Sequence, residues 1–188
     1  MSFTSVFNQI SMVQDYLLLS GYGAVTPQNI EKYKVTCVVD ATNIPQNRQK
    51  ISGDREVDYF RVPVEDSEWA RIAPHLEPAA DKIEEHRRKN GVVLVHCAAG
   101  ISRSTTVCLA YLIKYQAMPL RQAYLLCRQA RPIVSPNNGF WRQLIEYEKR
   151  IRGENSVEML RGRFGGREVP DVWLTERNIP VDRNLLNR

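Results

Sequence analysis

GVVLVHCAAGISRS, residues 91–104, is the stretch that decides the fold. Its first part, Gly91 to His96, is a short apolar run of the kind found in a central strand that is buried on both faces. From Arg103 to about Tyr115 the sequence is apolar nearly all round a helix, which predicts a helix in the core. The residues between these two segments therefore form a loop at a strand-to-helix junction.

This loop has the features of an anion-binding site. Backbone N–H groups that point into such a loop, together with the N-terminus of the following helix, attract negative charge. Gly100 permits backbone conformations that a side chain would forbid, and Arg103 offers a planar pair of donors that matches phosphate oxygens. We expect phosphate or a sulfate-like anion to be bound by the loop residues, which are Ala98, Ala99, Gly100, Ile101, Ser102 and Arg103.

Cys97 opens the loop and is the candidate nucleophile. The donors that bind phosphate also favour the thiolate form of a cysteine held beneath them, and the thiolate is the reactive form. Ser104 is suitably placed to donate a hydrogen bond to the sulfur. A lone cysteine at a strand end would fit equally well as part of the core. Residues 96–104, however, hold five specified residue types in nine positions, and this combination favours the catalytic interpretation: His96, Cys97, Gly100, Arg103 and Ser104.

Transfer of a phosphoryl group from an ester also requires a proton for the departing oxygen. A carboxylic acid on a loop suits this role and can later act as a base towards water. Asp66 is the preferred candidate because it follows a predicted strand in the sequence Val62-Pro63-Val64-Glu65-Asp66-Ser67. Glu65 and Glu68 stay as alternatives, since carboxylates in exposed loops are usually only solvated.

Working outward from the loop, strands and helices alternate and are then followed by helices in series. We expect strands over residues 15–20, 34–40, 57–62 and 91–96, and an irregular loop over residues 41–55. Helices are expected over residues 27–33, 78–89, 103–115, 120–129 and 138–152. This order predicts an α/β fold, with a central mixed sheet of about four to five strands that is flanked by helices on both faces.

The sequence divides into a domain over residues 1–152 and a tail over residues 153–188. The tail is less periodic and richer in Arg, Gly and Asn, and its one apolar stretch is Val169 to Leu174. We expect this stretch to dock on the domain and the remainder of the tail to be mobile.

Composition excludes several classes of function. The formal charge is +5, but basic and acidic residues are interleaved, which argues against nucleic acid as a partner and fits mild attraction towards phosphorylated ligands. No apolar run reaches the roughly 18–20 residues that a membrane-spanning helix needs. The four cysteines lack the spacing of zinc ligands, and three of them, Cys37, Cys108 and Cys127, lie in apolar surroundings. We expect free thiols and an intracellular location, with cytoplasmic and nuclear residence both open.

His96 to Ser104 resembles the H-C-x-x-G-x-x-R-[S/T] pattern of the protein tyrosine phosphatase superfamily. Two further segments are similar to its dual-specificity branch: the loop Val62 to Asp66, whose aspartate lies 31 positions before Cys97, and the segment Arg131 to Phe140. The resemblance covers about residues 11–152 and is closest to the small atypical dual-specificity phosphatases. It implies a protein tyrosine phosphatase-like fold with the active site at a strand–phosphate-loop–helix junction.

The resemblance also implies a metal-free and cofactor-free reaction in two steps. Cys97 would attack phosphorus while Asp66 protonates the leaving oxygen, and the loop amides and Arg103 would cradle the phosphoryl group. Water activated by Asp66 would then hydrolyse the cysteinyl-phosphate, with Ser104 assisting departure of the thiolate. The resemblance assigns supporting roles to two more residues: His96 would orient the loop from behind, and Asn137 would brace the site.

By the same resemblance, the substrates are proteins phosphorylated on tyrosine and on serine or threonine, with kinases and the MAP kinase pathway as candidate partners. Two other functions stay open. A phosphate-binding module would hold phosphorylated partners without turnover, although the presence of Cys97 argues against it. A lipid or RNA phosphatase could use the same scaffold, although neutral residues such as Ala98 and Ala99 stand where inositol phosphatases often carry lysine.

Overall fold

The fold is described from a computed structural model, which places residues 7–44, 57–161 and 168–176. Five strands form the main sheet: β1 (Ile10–Gln14), β2 (Leu17–Gly21), β3 (Val35–Asp40), β4 (Asp58–Arg61) and β5 (Val92–Cys97). Six helices accompany it: α1 (Pro27–Lys32), α2 (Ala73–Arg88), α3 (Arg103–Tyr115), α4 (Leu120–Ala130), α5 (Asn138–Arg152) and α6 (Val172–Glu176). Two short strands near the end of the chain, β6 (Met159–Arg161) and β7 (Glu168–Pro170), pair with each other.

The main sheet has the order β1-β2-β5-β3-β4, and β5 lies at its centre. β2, β5, β3 and β4 are parallel, while β1 is antiparallel to β2 at the edge. The mixed α/β fold that the sequence predicts is thus confirmed. Because the carboxyl ends of parallel strands meet at one edge, the end of β5 lies beside the ends of β2 and β3, and the loop after β5 opens there.

Two apolar layers cover the sheet. Helices α2 to α5 form one layer around α3, which is buried from Arg103 to Ile113 as its apolar sequence predicts. On the other face α1 contributes Ile30 to a smaller cluster with Leu18, Val38 and Leu94. The side chain of Thr26 caps α1 by accepting a hydrogen bond from the Asn29 N–H at 3.2 Å, and Pro27 occupies the first position of the helix.

The expected element boundaries are wrong in two places. The expected strand over residues 15–20 begins at Leu17 as β2, and Asp15 and Tyr16 form the turn that joins it to β1, a strand that was not expected. Helix α2 begins at Ala73 rather than at Pro78, so Pro78 lies inside the helix. Part of the loop expected over residues 41–55 lies outside the described residues.

The three cysteines expected in the core are there. Cys37, Cys108 and Cys127 are completely buried and free, and burial raises the pKa of Cys37 and Cys127 to about 12 each. Burial raises the pKa of Cys108 as well. These three groups therefore stay thiols at neutral pH. In the part of the chain that the structure describes, no helix has the length and apolar character needed to cross a membrane.

The apolar stretch of the tail docks on the domain. Val172 is buried against the main core, and the Trp173 ring meets Trp141 of α5 edge-on, with ring centroids 6.4 Å apart. Asp171 forms an ion pair with Arg121 of α4 at 2.5 Å. The other parts of the expected mobile tail, residues 162–167 and 177–188, lie outside the described residues.

Candidate active site

Cys97 is the last residue of β5, and its sulfur lies at the base of the following loop. The thiol is 1% exposed. Its Sγ accepts hydrogen bonds from the Gly100 backbone N–H at 3.2 Å and from the Ser104 hydroxyl at 3.1 Å. Ser104 is fully buried in the first turn of α3, so its hydroxyl is fixed beneath the sulfur. Donors of this kind stabilise negative charge on sulfur.

The loop curves tightly because of Gly100. This residue has φ +70°, and a Cβ there would lie 2.5 to 2.7 Å from the backbone of Ser20 and Gly21. A side chain at this position is therefore excluded on two grounds, conformation and space. Further along, the Tyr22 N–H donates to the Ala98 carbonyl at 3.0 Å, which fixes the loop against the end of β2.

Arg103 extends from the start of α3 towards the loop that carries Asp66. Its side chain is 9% exposed, and its Nη1 donates to the Val64 carbonyl at 3.2 Å. The Nε atom is buried and has no hydrogen-bond partner among the described residues; the nearest carboxylate oxygen, Oδ2 of Asp66, is 3.7 Å away. The guanidinium therefore keeps a donor that an oxyanion can satisfy.

The Asp66 carboxyl group is held by two neighbours. The Ser102 hydroxyl donates to Oδ1 at 2.7 Å, and the Asn137 amide donates to the same oxygen at 2.9 Å. Asn137 also caps α5 by accepting from the Phe140 N–H at 2.9 Å. The predicted acid, one loop residue and the predicted bracing asparagine are thus brought together. Asp66 and the two alternatives, Glu65 and Glu68, are all exposed, so exposure does not separate them.

Arg131 is a component of the site for which the sequence predicts no role. The side chain is 1% exposed, and it donates to the carbonyls of Gly100 at 2.7 Å and Ala99 at 2.9 Å. It also donates to the Gln9 carbonyl at 3.2 Å and the Ser11 hydroxyl at 3.3 Å. Burial lowers the pKa of Arg131, and the negative charge of a Cys97 thiolate opposes this shift. The sequence signal was present, because Arg131 begins a segment used for the family resemblance.

His96 lies in a buried polar group next to the start of the loop. Its Nδ1 is 3.5 Å from the Cys97 carbonyl, and its Nε2 is 3.7 Å from Oδ1 of Asp40. Asp40 is itself buried, and the Tyr59 hydroxyl donates to its Oδ2. Burial lowers the pKa of His96, although the Asp40 carboxylate opposes the shift, so the ring is neutral near pH 7.

A groove with a volume of about 1090 Å³ adjoins this site. Its walls come from three parts of the chain: the loop after Asp66 provides Glu68, the start of α5 provides Asn137 and Arg142, and β7 provides Glu168 and Val169, among others. Asn137 belongs to both places, since it lines the groove and also donates to Asp66. The groove and the candidate active site are therefore neighbours that meet at Asn137.

Comparisons with known proteins agree with this geometry. Residues 17–150 match the family described as "Dual specificity phosphatase, catalytic domain". Human dual specificity protein phosphatase 14 is 40% identical over 162 residues, which are 85% of this chain and 78% of that protein.

Solved structures are similar as well. Human DUSP28 superposes with a TM-score of 0.68 at 32% identity, over 76% of this chain and 95% of that one. A mouse putative dual specificity phosphatase complexed with zinc tungstate gives a TM-score of 0.69 at 31% identity, over 77% of this chain and 89% of that one. On these grounds the chain belongs to the dual specificity phosphatase family and is a protein phosphatase.

Proposed function

We propose that Cys97 is the nucleophile and that Asp66 is the general acid and base of the phosphatase reaction. In the first step the Cys97 thiolate forms a bond to phosphorus while the bond between phosphorus and the ester oxygen breaks. Asp66 gives its proton to that oxygen, which leaves as the alcohol of the dephosphorylated residue. The phosphoryl group then remains on sulfur, bound by the loop amides from Ala98 to Arg103.

In the second step a water molecule takes the place of the departed alcohol. Asp66, now a carboxylate, accepts a proton from the water as its oxygen attacks phosphorus, and the bond between sulfur and phosphorus breaks. The Ser104 hydroxyl and the Gly100 N–H, which both donate to Sγ, stabilise the thiolate as it leaves. Inorganic phosphate is released and the free enzyme is restored.

One observation carries the proposal: Sγ of Cys97 accepts two hydrogen bonds at the base of a loop that is followed directly by Arg103 and the N-terminus of α3. The proposed nucleophile, the proposed anion site and the N-terminus of α3 thus lie next to one another. The unpartnered Nε of Arg103 supports a role in binding the phosphoryl oxygens. The similar mouse phosphatase, which was crystallised as a complex with zinc tungstate, also supports an anion site here, since tungstate is a tetrahedral oxyanion.

We further infer that residues 1–152 are the catalytic domain and that residues 153–188 are an appended tail. The left-handed Gly153, at φ +83°, ends α5 and supports this boundary. Phosphorylated proteins, including kinases of the MAP kinase pathway, are the proposed substrates. Four free cysteines support an intracellular location, cytoplasmic or nuclear.

The first experiment measures phosphate release from para-nitrophenyl phosphate, with a chelator present, by the wild type and by Cys97→Ser. We expect robust turnover that the substitution abolishes. Cys127→Ala is the matched control, because it removes another buried cysteine outside the site and should leave turnover intact. Absence of turnover in the reduced, folded wild type would overturn the mechanism and favour a phosphate-binding module.

A second comparison tests the substrate class. Wild-type kcat/KM is measured with phosphotyrosine and phosphothreonine peptides, with soluble inositol phosphates and with RNA that carries a 5′ phosphate. We expect the peptides to be the better substrates, because the loop offers the neutral side chains of Ala98, Ala99 and Ile101 to a polyanion. Preference for inositol phosphates or RNA would contradict the assignment to phosphoproteins.

A further inference from the structure

The loop that carries Asp66 also displays an exposed tryptophan. Trp69 is 92% exposed, more than any other exposed large apolar side chain among the described residues; the next, Met12, is 53% exposed. A folded protein gains nothing for its own stability from such an indole. Exposed tryptophans are enriched at binding surfaces and often dominate their affinity.

Trp69 is held on rigid backbone. On one side, Glu68 packs so closely on α5 that a Cβ at Gly139 would lie 1.9 Å from the Glu68 carbonyl oxygen. On the other side, the Ala70 carbonyl accepts a hydrogen bond from the Gln143 amide of α5 at 2.9 Å. The indole is therefore presented from a fixed position three residues after Asp66, and little backbone conformational freedom would be lost when it binds a ligand.

The groove beside this loop is neutral as a whole. Its two arginines, Arg142 and Arg161, both pair with Glu168, at 2.6 Å and 3.2 Å, and Glu68 adds a further negative charge. Such a lining gives no net attraction for a second phosphate. Val169 and Trp173 provide apolar surface in the same groove.

We propose that the groove and Trp69 bind the polypeptide that flanks the phosphorylated residue, and that Trp69 contacts an apolar side chain of this flank. The occupant follows from position: Asn137 lines the groove and donates to Asp66, and Glu68 of the Asp66 loop lines the groove as well, so this surface lies beside the flank of a chain whose phosphate is bound over Cys97. The tail strand β7 thereby becomes part of the substrate-binding surface. This inference rests on the proposed function.

The test compares Trp69→Ala with the wild type on three substrates: a phosphotyrosine peptide with leucine flanks, the same peptide with serine flanks, and para-nitrophenyl phosphate. We expect Trp69→Ala to lower kcat/KM about five- to tenfold for the leucine peptide, mainly through KM, and less for the serine peptide. Activity on para-nitrophenyl phosphate, which has no flank, should not change. Met12→Ala is the control for loss of an exposed apolar side chain elsewhere.

Equal losses on the peptide and the small ester, or no loss on either, would overturn the inference while leaving the proposed function standing. Failure of the wild type to release phosphate from the small ester would instead overturn the proposed function. The two failures are therefore distinguishable.

A second measurement does not depend on turnover. In Cys97→Ser, acrylamide should quench mainly Trp69, because Trp141 is fully buried and Trp173 is partly buried. We expect the leucine-flanked phosphopeptide to protect Trp69 from quenching and inorganic phosphate alone to leave it unprotected. Protection by phosphatidylcholine vesicles but not by the peptide would assign the surface to a membrane and contradict the proposal.

Discussion

At the scale of single residues, the Asp66 carboxyl group, which is the proposed proton donor, lies directly beside residues of the proposed anion site. Ser102 and Asn137 hold one oxygen, and the other oxygen faces Arg103 at 3.7 Å. The proposed acid is thus oriented by the same elements that build the anion site. Arg103 donates a hydrogen bond to the Val64 carbonyl in the same loop. A shift of the loop over residues 62–66 would therefore move this carbonyl and the Asp66 carboxyl group at the same time.

Replacing the acid should have an effect that depends on the leaving group. We expect Asp66→Asn to lower kcat about 100-fold or more for a phosphoserine peptide, whose alkoxide leaves poorly without a proton. The loss should be much smaller for para-nitrophenyl phosphate, since nitrophenolate leaves without protonation. Steady-state kinetics on both substrates check this, and Glu65→Gln serves as the control.

If Asp66→Asn lost activity equally on both substrates, Asp66 would not be the proton donor. A loss confined to Glu65→Gln or Glu68→Gln would move the role to that residue. Both glutamates were left open by the sequence, and Glu68 is the one that faces the groove.

Sequence reasoning at this scale is strongest where residues are close along the chain. Cys97, Gly100, Arg103 and Ser104 lie within one loop and one helical turn, so their spacing predicts that they lie close together, and Gly100 and Ser104 do bond to the Cys97 sulfur. The hydrogen bonds of Arg131 cannot be inferred in this way. Its partners on the loop and on β1 lie about 30 and 120 positions away, and only the folded chain brings them together.

At the scale of elements, Arg131 joins the end of α4 to the phosphate loop and to β1. The structure describes no carboxylate paired with this buried cation, and carbonyl oxygens accept most of its hydrogen bonds. It therefore supports the loop from behind and places a positive charge near Cys97.

Removing that charge should weaken the loop and slow its chemistry. We expect Arg131→Met to lower the free energy of unfolding by about 3 kcal/mol, because buried carbonyls lose their donors. It should also slow alkylation of Cys97 by iodoacetate at pH 7 and raise the KM for para-nitrophenyl phosphate. Arg131→Lys keeps the charge and should recover part of the alkylation rate. Loss of stability with unchanged alkylation and KM would reduce Arg131 to a structural role.

Helix α2 shows why an element boundary was missed. A proline near a helix start favours the first turn, and both Pro74 and Pro78 fit this rule by sequence. In the structure the first turn contains Pro74, and Gln143 of α5 accepts hydrogen bonds from the N–H groups of Ile72 and Ala73, at 2.9 Å each. The cap comes from a residue about 70 positions away, so the local sequence does not decide between a start near Pro74 and a start near Pro78.

At the scale of the whole molecule, residues 157–161 and 168–174 of the tail pack on the rest of the described chain. Asp171 is 5% exposed, pairs with Arg121 and accepts from the Glu158 N–H at 3.2 Å. We expect Asp171→Ala to lower the midpoint of thermal unfolding by about 3 to 8 °C, because a buried ion pair is broken. Glu154→Ala removes a carboxylate whose side chain is 75% exposed and should leave the midpoint unchanged. Equal midpoints for Asp171→Ala and the wild type would show that the tail is not anchored there.

Stability should also depend on pH through His96. Burial holds its pKa below the value of about 6.5 that it has in the unfolded chain. The unfolded chain then binds more protons below pH 6.5, so this contribution is present above pH 6.5 and is lost as the pH falls. Urea unfolding at pH 7.0 and pH 5.5 should show a smaller decline in His96→Asn than in the wild type. An equal decline in both would contradict the prediction.

The tie between β1 and the phosphate loop has a mechanical consequence. The Arg131 guanidinium donates hydrogen bonds to the Gln9 carbonyl and the Ser11 hydroxyl, and it also donates to the Ala99 and Gly100 carbonyls. A load applied to the start of the chain, by a fused carrier protein or a surface tether, would reach the loop after β5 by two routes, through Arg131 and through the pairing of β1 with β2. Immobilisation through the start of the chain should therefore disturb activity more than attachment through an exposed side chain of α2.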